Sequence, residues 1–562
     1  MQDAHLRFWP KGLPRNIQVP EVPLTHFLEV AAQRYPGKVA IAWCGTEMRY
    51  GALLARVNAL AGYLQSQLQV RPGDRVLLVS QNCPQYITAF YAILRAGGVV
   101  VPVNAMCTAA EMVHYVEDSG AKVALVAQEL LPNVLPCMAP ALAQGLAGVL
   151  AHTYSDLLTA EARAALDADV PEVFLAPRQQ HQDSHVVDME DAIGLGLAPV
   201  GAGPAADDLC SLWYTSGTTG RTKGCMHSHR SILTASISSI LWRGMHAESI
   251  FLGAAPLFHG LGMQNGMILP LVLGATVVML PRWSARAAAA LIECYRVSIW
   301  VAPPAMLVDF FAHPDAATRD LSSLSLLIGG GAAVPAAVAQ ALLERFGLVL
   351  NESYGMSETA AFLHGNPVNR SKQQCLGIPG PGVDTRIVDP VTLEELAQGE
   401  TGEIVTSGGQ VMLGYWRNEE ANRAVFFERD GKRFLRTGDL GSIDEDGYFF
   451  MRDRLKRMIN ASGFKVWPAE LETALYAHPA IHEVCIIGVP DAKRGETVKA
   501  LVVLKPGQQE RTTEQDIIGW SRERMAAYKV PQSVEFLEHL PKSATGKIQW
   551  KELQDAYQRP AG

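Results

Sequence analysis

Runs of apolar, often β-branched residues alternate with helical patterns along most of the chain. Six of these runs predict strands, at 75–80, 98–103, 249–255, 275–280, 298–302 and 324–328. Amphipathic stretches between the runs predict helices, for example at 85–95, 286–295 and 336–346. Continuous Val/Ile/Leu strands that alternate with helices are typical of parallel sheets covered on both faces. We therefore predict an α/β fold in which ligands bind beyond the carboxyl ends of the strands.

The length of the chain and the changes of composition along it predict two domains. One hydrophobic core usually stops growing at roughly 250–300 residues, and this chain has 562. Residues 129–207 are rich in Ala, Pro and Gly and are interpreted as a peripheral insertion or long connection. Turns and charges cluster at 430–460, and short strands with one helix follow. We predict a large N-terminal domain at 1–452, a hinge at 453–456 and a small α+β C-terminal domain at 457–562.

Composition narrows the classes of function. Lys and Arg number 48 against 56 Asp and Glu, so the net charge of −8 predicts no nucleic-acid partner. The nine cysteines form no CxxC pair, which favours buried thiols in a reducing compartment. Residues 1–15 lack the apolar stretch of a secretory signal, so we expect a cytoplasmic protein. The apolar segment 266–280 is too short and too interrupted to cross a membrane, and is predicted to be a buried helix followed by a strand.

The strongest motif is YTSGTTGRTKG at 214–224, which follows an apolar run and precedes a predicted helix near 228. Its glycines let backbone N–H groups turn inward around an anion, and Lys223 adds positive charge. Hydroxyl and backbone donors are expected from Thr215, Ser216, Gly217, Thr218, Thr219 and Gly220. The segment lacks the Gly-Lys-Ser/Thr of a Walker A loop. It predicts a phosphate-binding loop, and the structural alternative is a flexible polar turn.

This loop resembles the signature of the adenylate-forming superfamily, which includes acyl-CoA synthetases, nonribosomal-peptide adenylation domains and beetle luciferases. The usual sequence has proline before the lysine, whereas this chain has Thr222, which we expect to loosen the loop. The resemblance extends over about residues 25–556, and the amino-acid sequence of the segment 449–468 is most similar to that of bacterial fatty-acyl-CoA ligases. It implies the luciferase-like fold with a mobile small domain, and ATP and CoA as co-substrates.

A second motif, ESYGMSE at 352–358, follows a predicted strand at 348–350. By resemblance, Tyr354 stacks on adenine, Ser357 approaches the phosphate and Glu358 holds Mg²⁺, which usually takes one or two carboxylates plus phosphate oxygens. The rest of the segment is also assigned to the nucleotide, namely Glu352, Ser353, Gly355 and Met356. A serine-hydrolase elbow is the alternative, but the G-x-S-x-G pattern fails because Thr359 replaces its last glycine.

Two further segments resemble the walls of the acyl pocket. Gly329 and Gly330 would place no side chains along one wall, and the resemblance assigns Gly331, Ala332 and Ala333 to the adenine. The same glycines also suit a tight turn from strand to helix. By resemblance, His259 lies beside the acyl pocket and the magnesium–phosphate region and is a candidate catalytic residue, although it could instead be a core or helix-cap histidine. Met263 is expected to add apolar surface to the pocket. Trp300 is expected to add apolar surface nearby.

The remaining motifs lie near the C-terminal end of the sequence. By resemblance, Asp439 in Thr-Gly-Asp binds the ribose hydroxyls, Arg454 contacts phosphate or ribose, and Lys456 is the pivot of the hinge. The thiol tunnel for CoA is assigned to Ser462, Gly463 and Phe464. Lys547 is the catalytic lysine, whose charge bridges the substrate carboxylate and the α-phosphate during adenylation. His227 and His229 form an HxH pair without an evident third ligand, so zinc is not expected.

Together these motifs predict an AMP-forming carboxylate–CoA ligase. The acid would be mostly apolar, with a fatty, branched or aromatic body. The alternatives are an acyl-AMP ligase that loads a carrier protein, a light-emitting oxygenase and a non-catalytic nucleotide sensor. An amino-acid adenylation domain would need an acidic residue near 259–263, and this segment has none. A homodimer is expected only because twofold dimers are the commonest oligomers.

Overall fold

The computed structural model describes most of the chain. The described residues are 4–139, 145–165, 170–215, 222–331, 334, 336–461, 464–491, 495–509, 511–542 and 548–558. They divide into two compact units. The larger unit comprises residues Phe8–Asp384 and Ser407–Phe426, and the smaller comprises Met1–Arg7, Thr385–Thr406 and Phe427–Gly562. Strands and helices below are numbered in chain order.

The first sheet of the larger unit has nine strands in the part of the chain that is described. Their order is β16 (Ile378–Pro379), β15 (His364–Gly365), β14 (Leu350–Tyr354), β13 (Leu326–Gly329), β12 (Ile299–Ala302), β10 (Ile250–Gly253), β11 (Thr276–Met279), β1 (Val39–Trp43) and β2 (Thr46–Arg49). The six strands from β14 to β1 are parallel, and antiparallel strands flank them on both sides.

A second sheet of eight described strands belongs to the same unit. Their order is β19 (Gly414–Tyr415), β9 (Lys223–Ser228), β8 (Leu209–Thr215), β4 (Val99–Val103), β3 (Arg75–Val79), β5 (Val123–Ala127), β6 (Gly148–His152) and β7 (Val186–Asp188). The strands from β8 to β7 are parallel, whereas β8 and β9 form an antiparallel hairpin to which β19 adds.

Helices connect these strands. They are α1 (Leu24–Arg34), α2 (Tyr50–Ser66), α3 (Pro84–Arg95), α4 (Ala109–Ser119), α5 (Leu131–Val134), α6 (Ala160–Ala165), α7 (Met189–Gly194), α8 (His229–Arg243), α9 (Gly260–Met263), α10 (Leu269–Leu273), α11 (Ala285–Tyr295), α12 (Pro304–Ala312), α13 (Pro314–Thr318), α14 (Ala336–Phe346) and α15 (Glu419–Val425). A π-helical turn, Gln264–Ile268, joins α9 to α10.

The ends of α8 show why such helices begin and end where they do. The Ser228 hydroxyl accepts a hydrogen bond from the backbone N–H of Ser231 at 3.1 Å, which satisfies one donor of the first turn. At the other end Gly244 adopts the left-handed conformation with φ of 63°, which costs glycine little. Both signals are local, so the sequence alone places this helix.

The smaller unit contains two further sheets among its described residues. One has the order β17 (Asp384–Val388), β18 (Gly402–Ser407), β21 (Lys432–Ile443) and β20 (Phe426–Arg429), and β22 (Phe449–Arg454) also pairs with β21. The other has the order β24 (Phe464–Val466), β23 (Ile459–Ala461), β26 (Gly495–Leu504) and β25 (Ile481–Asp491), and β27 (Ser533–Phe536) pairs with β26. Its helices are α16 (Pro468–Leu475), α17 (Glu514–Arg522) and α18 (Trp550–Gln558).

The α/β fold predicted from the alternation of strands and helices is confirmed. Each of the six predicted strands is present, with ends that differ by at most two residues. The interpretation of 129–207 as a peripheral connection was wrong in part, because β6 and β7 extend the second sheet there. Their signal was weak because β6 ends in Ala-His and β7 has only three residues.

The apolar segment 266–280 forms helical turns followed by β11, as predicted. Within the described ranges, none of the helices combines the length and apolar character that crossing a bilayer requires. In the compact units, β17, β18, β20, β21 and β22 group with the C-terminal residues, and the functional division at 452 stays a prediction. Compactness does not identify a pivot, so the hinge at 453–456 stays a prediction.

Candidate active site

The predicted phosphate-binding loop is the turn of the β8–β9 hairpin. Thr215 at the end of β8 pairs with Lys223 at the start of β9. The predicted helix near 228 is confirmed as α8, which begins at His229, but β9, a strand that the sequence did not predict, lies between the loop and this helix. A short strand with Gly, Cys and His gave little periodic signal. Ser216, Gly217, Thr218, Thr219 and Gly220 lie outside the described residues.

Thr222, which stands where the family usually has proline, is anchored by a histidine. The Thr222 hydroxyl oxygen lies 3.1 Å from Nε2 of His114 on α4, and the Thr222 carbonyl oxygen lies 3.3 Å from the same nitrogen. On the same helix, Asp118 accepts a hydrogen bond of 2.5 Å from the Tyr214 hydroxyl. Helix α4 thus contacts residues on both sides of the loop, and the expected loosening of the loop by Thr222 stays a prediction, because residues 216–221 lie outside the described ranges.

Tyr415, which belongs to none of the sequence motifs, contacts both Glu358 and Lys223. The Tyr415 hydroxyl donates a hydrogen bond of 2.9 Å to Oε1 of Glu358. Nζ of Lys223 lies 5.1 Å from the centroid of the Tyr415 ring, within cation–π range. Glu358 is only 9% exposed, and its carbonyl oxygen accepts a bond of 2.8 Å from Met412 N–H. Tyr415 thus orients a buried carboxylate beside the phosphate-binding hairpin.

Ser357 is held in place through its backbone. Nε2 of His227 lies 2.7 Å from the Ser357 carbonyl oxygen. Burial lowers the pKa of His227 to about 4, so the ring is neutral near pH 7 and Nε2 carries the proton that it donates. His229 has a different partner, since its Nδ1 accepts a bond from Leu24 N–H at 3.2 Å. The two histidines of the HxH pair therefore serve separate structural contacts.

The sequence had predicted that Glu352 and Tyr354 follow a strand at 348–350. In the structure both residues lie within that strand, β14, which extends to Tyr354. The Tyr354 ring packs edge-on against His364, with 5.4 Å between centroids. The Glu352 carboxylate accepts bonds from the N–H groups of Val334 at 3.1 Å and Gln374 at 2.5 Å. Burial raises the pKa of Glu352, and these N–H groups oppose that shift. The Glu352 side chain therefore ties the glycine-rich segment to the loop at 374.

The glycine-rich segment passes close to α9. A Cβ atom at Gly330 would lie 2.9 Å from Cδ1 of Leu261 and 3.9 Å from Oγ of Ser353. Gly331 has φ of +85°, a conformation that other residues adopt only with strain. Leu261 thus faces the predicted acyl wall, while Met263 is completely buried. Ala332 and Ala333 lie outside the described residues, and Gly355 and Met356 are partly exposed.

His259 caps α9. Its Nδ1 accepts a long hydrogen bond of 3.4 Å from Leu261 N–H, and its side chain is exposed. The helix cap uses only Nδ1 of the ring, so it is compatible with the predicted role of His259 in the pocket, which stays a prediction. Trp300 was expected near the pocket, but it is completely buried in the core and stacks on Trp283 at 5.7 Å. Its side chain therefore belongs to the core between the first sheet and its helices.

In the smaller unit, Asp439 and Arg454 face each other across β21 and β22. Oδ1 of Asp439 lies 2.9 Å from Nε of Arg454, and the aspartate is 1% exposed. The carboxylate predicted to bind ribose and the guanidinium predicted to bind phosphate or ribose are thus preorganised as a pair.

The predicted hinge is a 3₁₀ turn, Leu455–Arg457, which contains Lys456. Asp453 precedes it, and its Oδ2 accepts a hydrogen bond of 2.7 Å from Ala469 N–H in the first turn of α16. A carboxylate at a helix N-terminus is favourable because it satisfies an unpaired donor. Ser462, Gly463 and Lys547 lie outside the described residues, and Phe464 begins β24.

Comparison with known proteins identifies the family of the chain. The family model for AMP-binding enzymes matches residues 28–416, and the model for their C-terminal domain matches 470–547. A long-chain-fatty-acid–CoA ligase of Bacillus subtilis is 34% identical, with 97% of each chain covered. A feruloyl-CoA synthase of Amycolatopsis is 35% identical, covering 92% of this chain and 95% of that protein.

Solved structures agree. ATP-bound MatB of Rhodopseudomonas palustris is similar with a TM-score of 0.82 at 27% identity, covering 95% of this chain and 99% of that chain. An anthranilate CoA ligase in complex with anthranoyl-AMP gives 0.80 at 27% identity, covering 96% and 98%. The chain belongs to the AMP-binding enzyme family. It is an AMP-forming acid–thiol ligase of the acyl-CoA synthetase type, as the order of its motifs predicted.

Proposed function

We propose that the protein activates a mostly apolar carboxylic acid and transfers it to CoA. In the first step the carboxylate oxygen attacks the α-phosphorus of ATP, giving acyl-AMP and pyrophosphate. In the second step the CoA thiol attacks the acyl carbonyl and loses its proton, giving acyl-CoA and AMP. The observation that carries this proposal is the convergence of Lys223, Tyr415 and Glu358 at the phosphate-binding hairpin.

The first step would use groups of the larger unit together with Lys547. The donors of the 215–220 loop and Lys223 would hold the phosphates, and Tyr354 would stack on adenine. Lys547 would stabilise the charge that develops between carboxylate and α-phosphate. Asp439 and Arg454 would bind the ribose and a phosphate, in the nucleotide position that the resemblance implies.

Glu358 suits a magnesium ion. It is a buried carboxylate beside a predicted phosphate site, and one of its oxygens is already oriented by the Tyr415 hydroxyl. One carboxylate plus phosphate oxygens is the ligand set that Mg²⁺ favours. When bound, the ion would neutralise phosphate charge; the chain's part is to hold the Glu358 carboxylate in a fixed orientation through the Tyr415 hydroxyl.

The second step would depend on the smaller unit. The segment Ser462, Gly463 and Phe464 would line the passage for the CoA thiol, and Lys456 would be the pivot that brings it into place. Asp453 supports this arrangement, because its bond to Ala469 joins the pivot turn to α16. The same chain would thus present Lys547 for adenylation and the 462–464 segment for thioester formation.

The apolar character of the acid rests on the predicted pocket wall. His259, Met263, Gly329 and Gly330 were assigned to it, and Leu261 adds an aliphatic side chain directly opposite Gly330. Relatives with named long-chain fatty acid and feruloyl substrates are consistent with such a wall. We also propose a cytoplasmic protein, with a homodimer as the expected assembly.

Mass spectrometry of the products tests the reaction. The protein would be incubated with ATP, Mg²⁺ and acids from acetate to palmitate, branched and hydroxylated short acids, and benzoate or phenylacetate types, with and without CoA. We expect acyl-CoA and AMP from a subset of these acids. Acyl-AMP that persists when CoA is present would instead support the second candidate, a ligase that loads a carrier protein.

A further inference from the structure

Arg243 occupies an unusual position at the C-terminal end of α8. Its side chain is partly buried beside β14, and Gly244 terminates the helix directly after it. Burial lowers the pKa of Arg243 to about 10, so its guanidinium is still charged at neutral pH. A cation placed in a poorly solvated position costs free energy unless an anion or several polar groups compensate it.

Among the described residues, the groups that contact this guanidinium are neutral. One Nη donates to the Ser239 hydroxyl at 2.7 Å, and the other donates to the Ser353 hydroxyl at 3.0 Å. The guanidinium carbon lies 4.9 Å from the centroid of the Phe362 ring. Across the described ranges no carboxylate forms an ion pair with Arg243. Arg56, by contrast, is buried to a similar degree in the same unit and pairs directly with Glu190.

Ser353 connects Arg243 to the predicted acyl wall. Its hydroxyl oxygen accepts the bond from Arg243 and lies 3.9 Å from the point where a Cβ at Gly330 would stand. Residue 330 is glycine and adds no side chain there, so the described atoms within 4 Å of that point are Cδ1 of Leu261 and Oγ of Ser353. The arginine therefore lies one side chain away from the surface along which the acyl group is expected to extend.

We propose that Arg243, assisted by Ser353, binds a second carboxylate at the far end of the acyl group. The preferred substrate would then be a dicarboxylic acid with an apolar body, activated at one end and held at the other. This inference rests on the proposed function and specifies its substrate class. A carboxylate is the matching ligand because a guanidinium offers a planar fork of N–H donors that can bind both carboxylate oxygens.

The pocket would combine an apolar middle with one charged anchor. Leu261 and the glycines would pack on the methylene groups or ring of the substrate, and the anchor would fix its length. An acid with a methyl end would leave the guanidinium without its anion, so binding would be weaker by the value of a charged hydrogen bond. The preference for dicarboxylates over methyl-ended acids can be strong, because a methyl-ended acid leaves buried polar groups of the pocket unpaired.

Matched pairs of acids test the proposal. The pairs are hexanedioate and hexanoate, octanedioate and octanoate, decanedioate and decanoate, dodecanedioate and dodecanoate, and terephthalate and 4-methylbenzoate. For each acid, kcat/KM would be measured from pyrophosphate release with the full chain, ATP, Mg²⁺ and CoA. The variants are Arg243→Met and the control Arg345→Met. Arg345 is an exposed arginine that also lies over a phenylalanine ring, at 5.3 Å.

We expect the wild-type protein to favour the dicarboxylate in at least one pair. Arg243→Met should lower the ratio of dicarboxylate to monocarboxylate kcat/KM by roughly 10- to 100-fold, the range of a hydrogen bond to a charged group. Arg345→Met should keep the wild-type ratio. If Arg243→Met does not fold, Ser353→Ala should lower the same ratio several-fold, because one neutral hydroxyl of the subsite is lost.

Two results would overturn the proposal. One is a wild-type protein that favours the methyl-ended acid in every pair. The other is a loss in Arg243→Met that is equal for both members of each pair, or that is confined to the KM of ATP. Failure of the proposed function differs, since no acid would then yield pyrophosphate. In that case the affinity of the same dicarboxylates, measured by calorimetry, still tests the subsite. Equal affinities for the wild-type protein and for Arg243→Met would refute it.

Discussion

Replacement of Tyr415 by phenylalanine tests the proposed orientation of Glu358. The variant removes a single hydroxyl that donates to Oε1 of the carboxylate at 2.9 Å and leaves the ring under Lys223. A hydrogen bond to a charged group contributes about 1.5–3 kcal/mol. If that orientation is needed only when Mg²⁺ and ATP are bound, the loss corresponds to roughly 10- to 100-fold in kcat/KM for ATP.

The assay is the initial rate of pyrophosphate release as Mg²⁺ and ATP are varied separately. We expect Tyr415→Phe to require more Mg²⁺ for half-maximal rate, with little change in the KM of the acid. The matched control is Tyr50→Phe, which removes another buried hydroxyl of the same unit, one that donates to the Ala275 carbonyl at 2.6 Å. It should lower the free energy of unfolding without changing the Mg²⁺ dependence.

Wild-type dependence on both Mg²⁺ and ATP in Tyr415→Phe would refute this reasoning. The hydroxyl would then be a structural contact only, and Glu358 would be oriented by the backbone around it. An equal change in Tyr50→Phe would lead to the same conclusion, because the effect would follow general destabilisation of the unit.

Four further predictions concern the loop, the two half-reactions and acid stability. Thr222→Val should raise the KM for ATP several-fold because the hydroxyl contact with His114 of α4 is lost, whereas Thr222→Ser, which keeps the hydroxyl, should stay near wild type; equal effects in steady-state kinetics would count against the anchor. Lys547→Ala should abolish acyl-AMP formation yet spare thioester formation from supplied acyl-AMP, and parallel loss of both half-reactions would contradict the division of roles. Gly463→Leu should slow the thioester step while adenylation continues, so normal acyl-CoA formation would show that the tunnel assignment is wrong. Folding lowers the pKa of His227 from 6.5 to about 4, so below pH 6.5 protonation of the unfolded chain reduces the free energy of unfolding, by about 3 kcal/mol in total as the pH approaches 4. Urea unfolding of His227→Gln should show a smaller loss of stability between pH 6.5 and 4, and an unchanged loss would refute the assignment.

Local signals were enough for many of the strands and helices and for the motif residues. Ser228 and Gly244 mark both ends of α8, and the apolar run of β8 precedes the loop of glycines and hydroxyls. Such features need only a few consecutive residues, because capping, strand burial and anion binding by backbone N–H groups are short-range effects. The motif order then indicated the reaction class, which the comparisons confirmed.

The hairpin shows where local reasoning failed. The sequence predicted no strand between the loop and the helix near 228, but the segment from Lys223 to Ser228 forms β9 and pairs with both β8 and β19. Strand pairing is decided by partners that are distant in sequence, and β19 lies almost two hundred residues further along the chain. A six-residue strand of mixed composition therefore has no signature of its own.

What the sequence determined by itself was the class of fold, the reaction type and the candidate residues of each motif, since these depend on periodicity and on short runs of residues. Only the tertiary structure decided that Tyr415 contacts Glu358, that His114 contacts Thr222, and that Arg243 lies beside Ser353 near the predicted acyl wall. These contacts join residues 57, 108 and 110 positions apart. They exist because the packing of separate strands and helices brings single side chains together, and no local pattern records that distance.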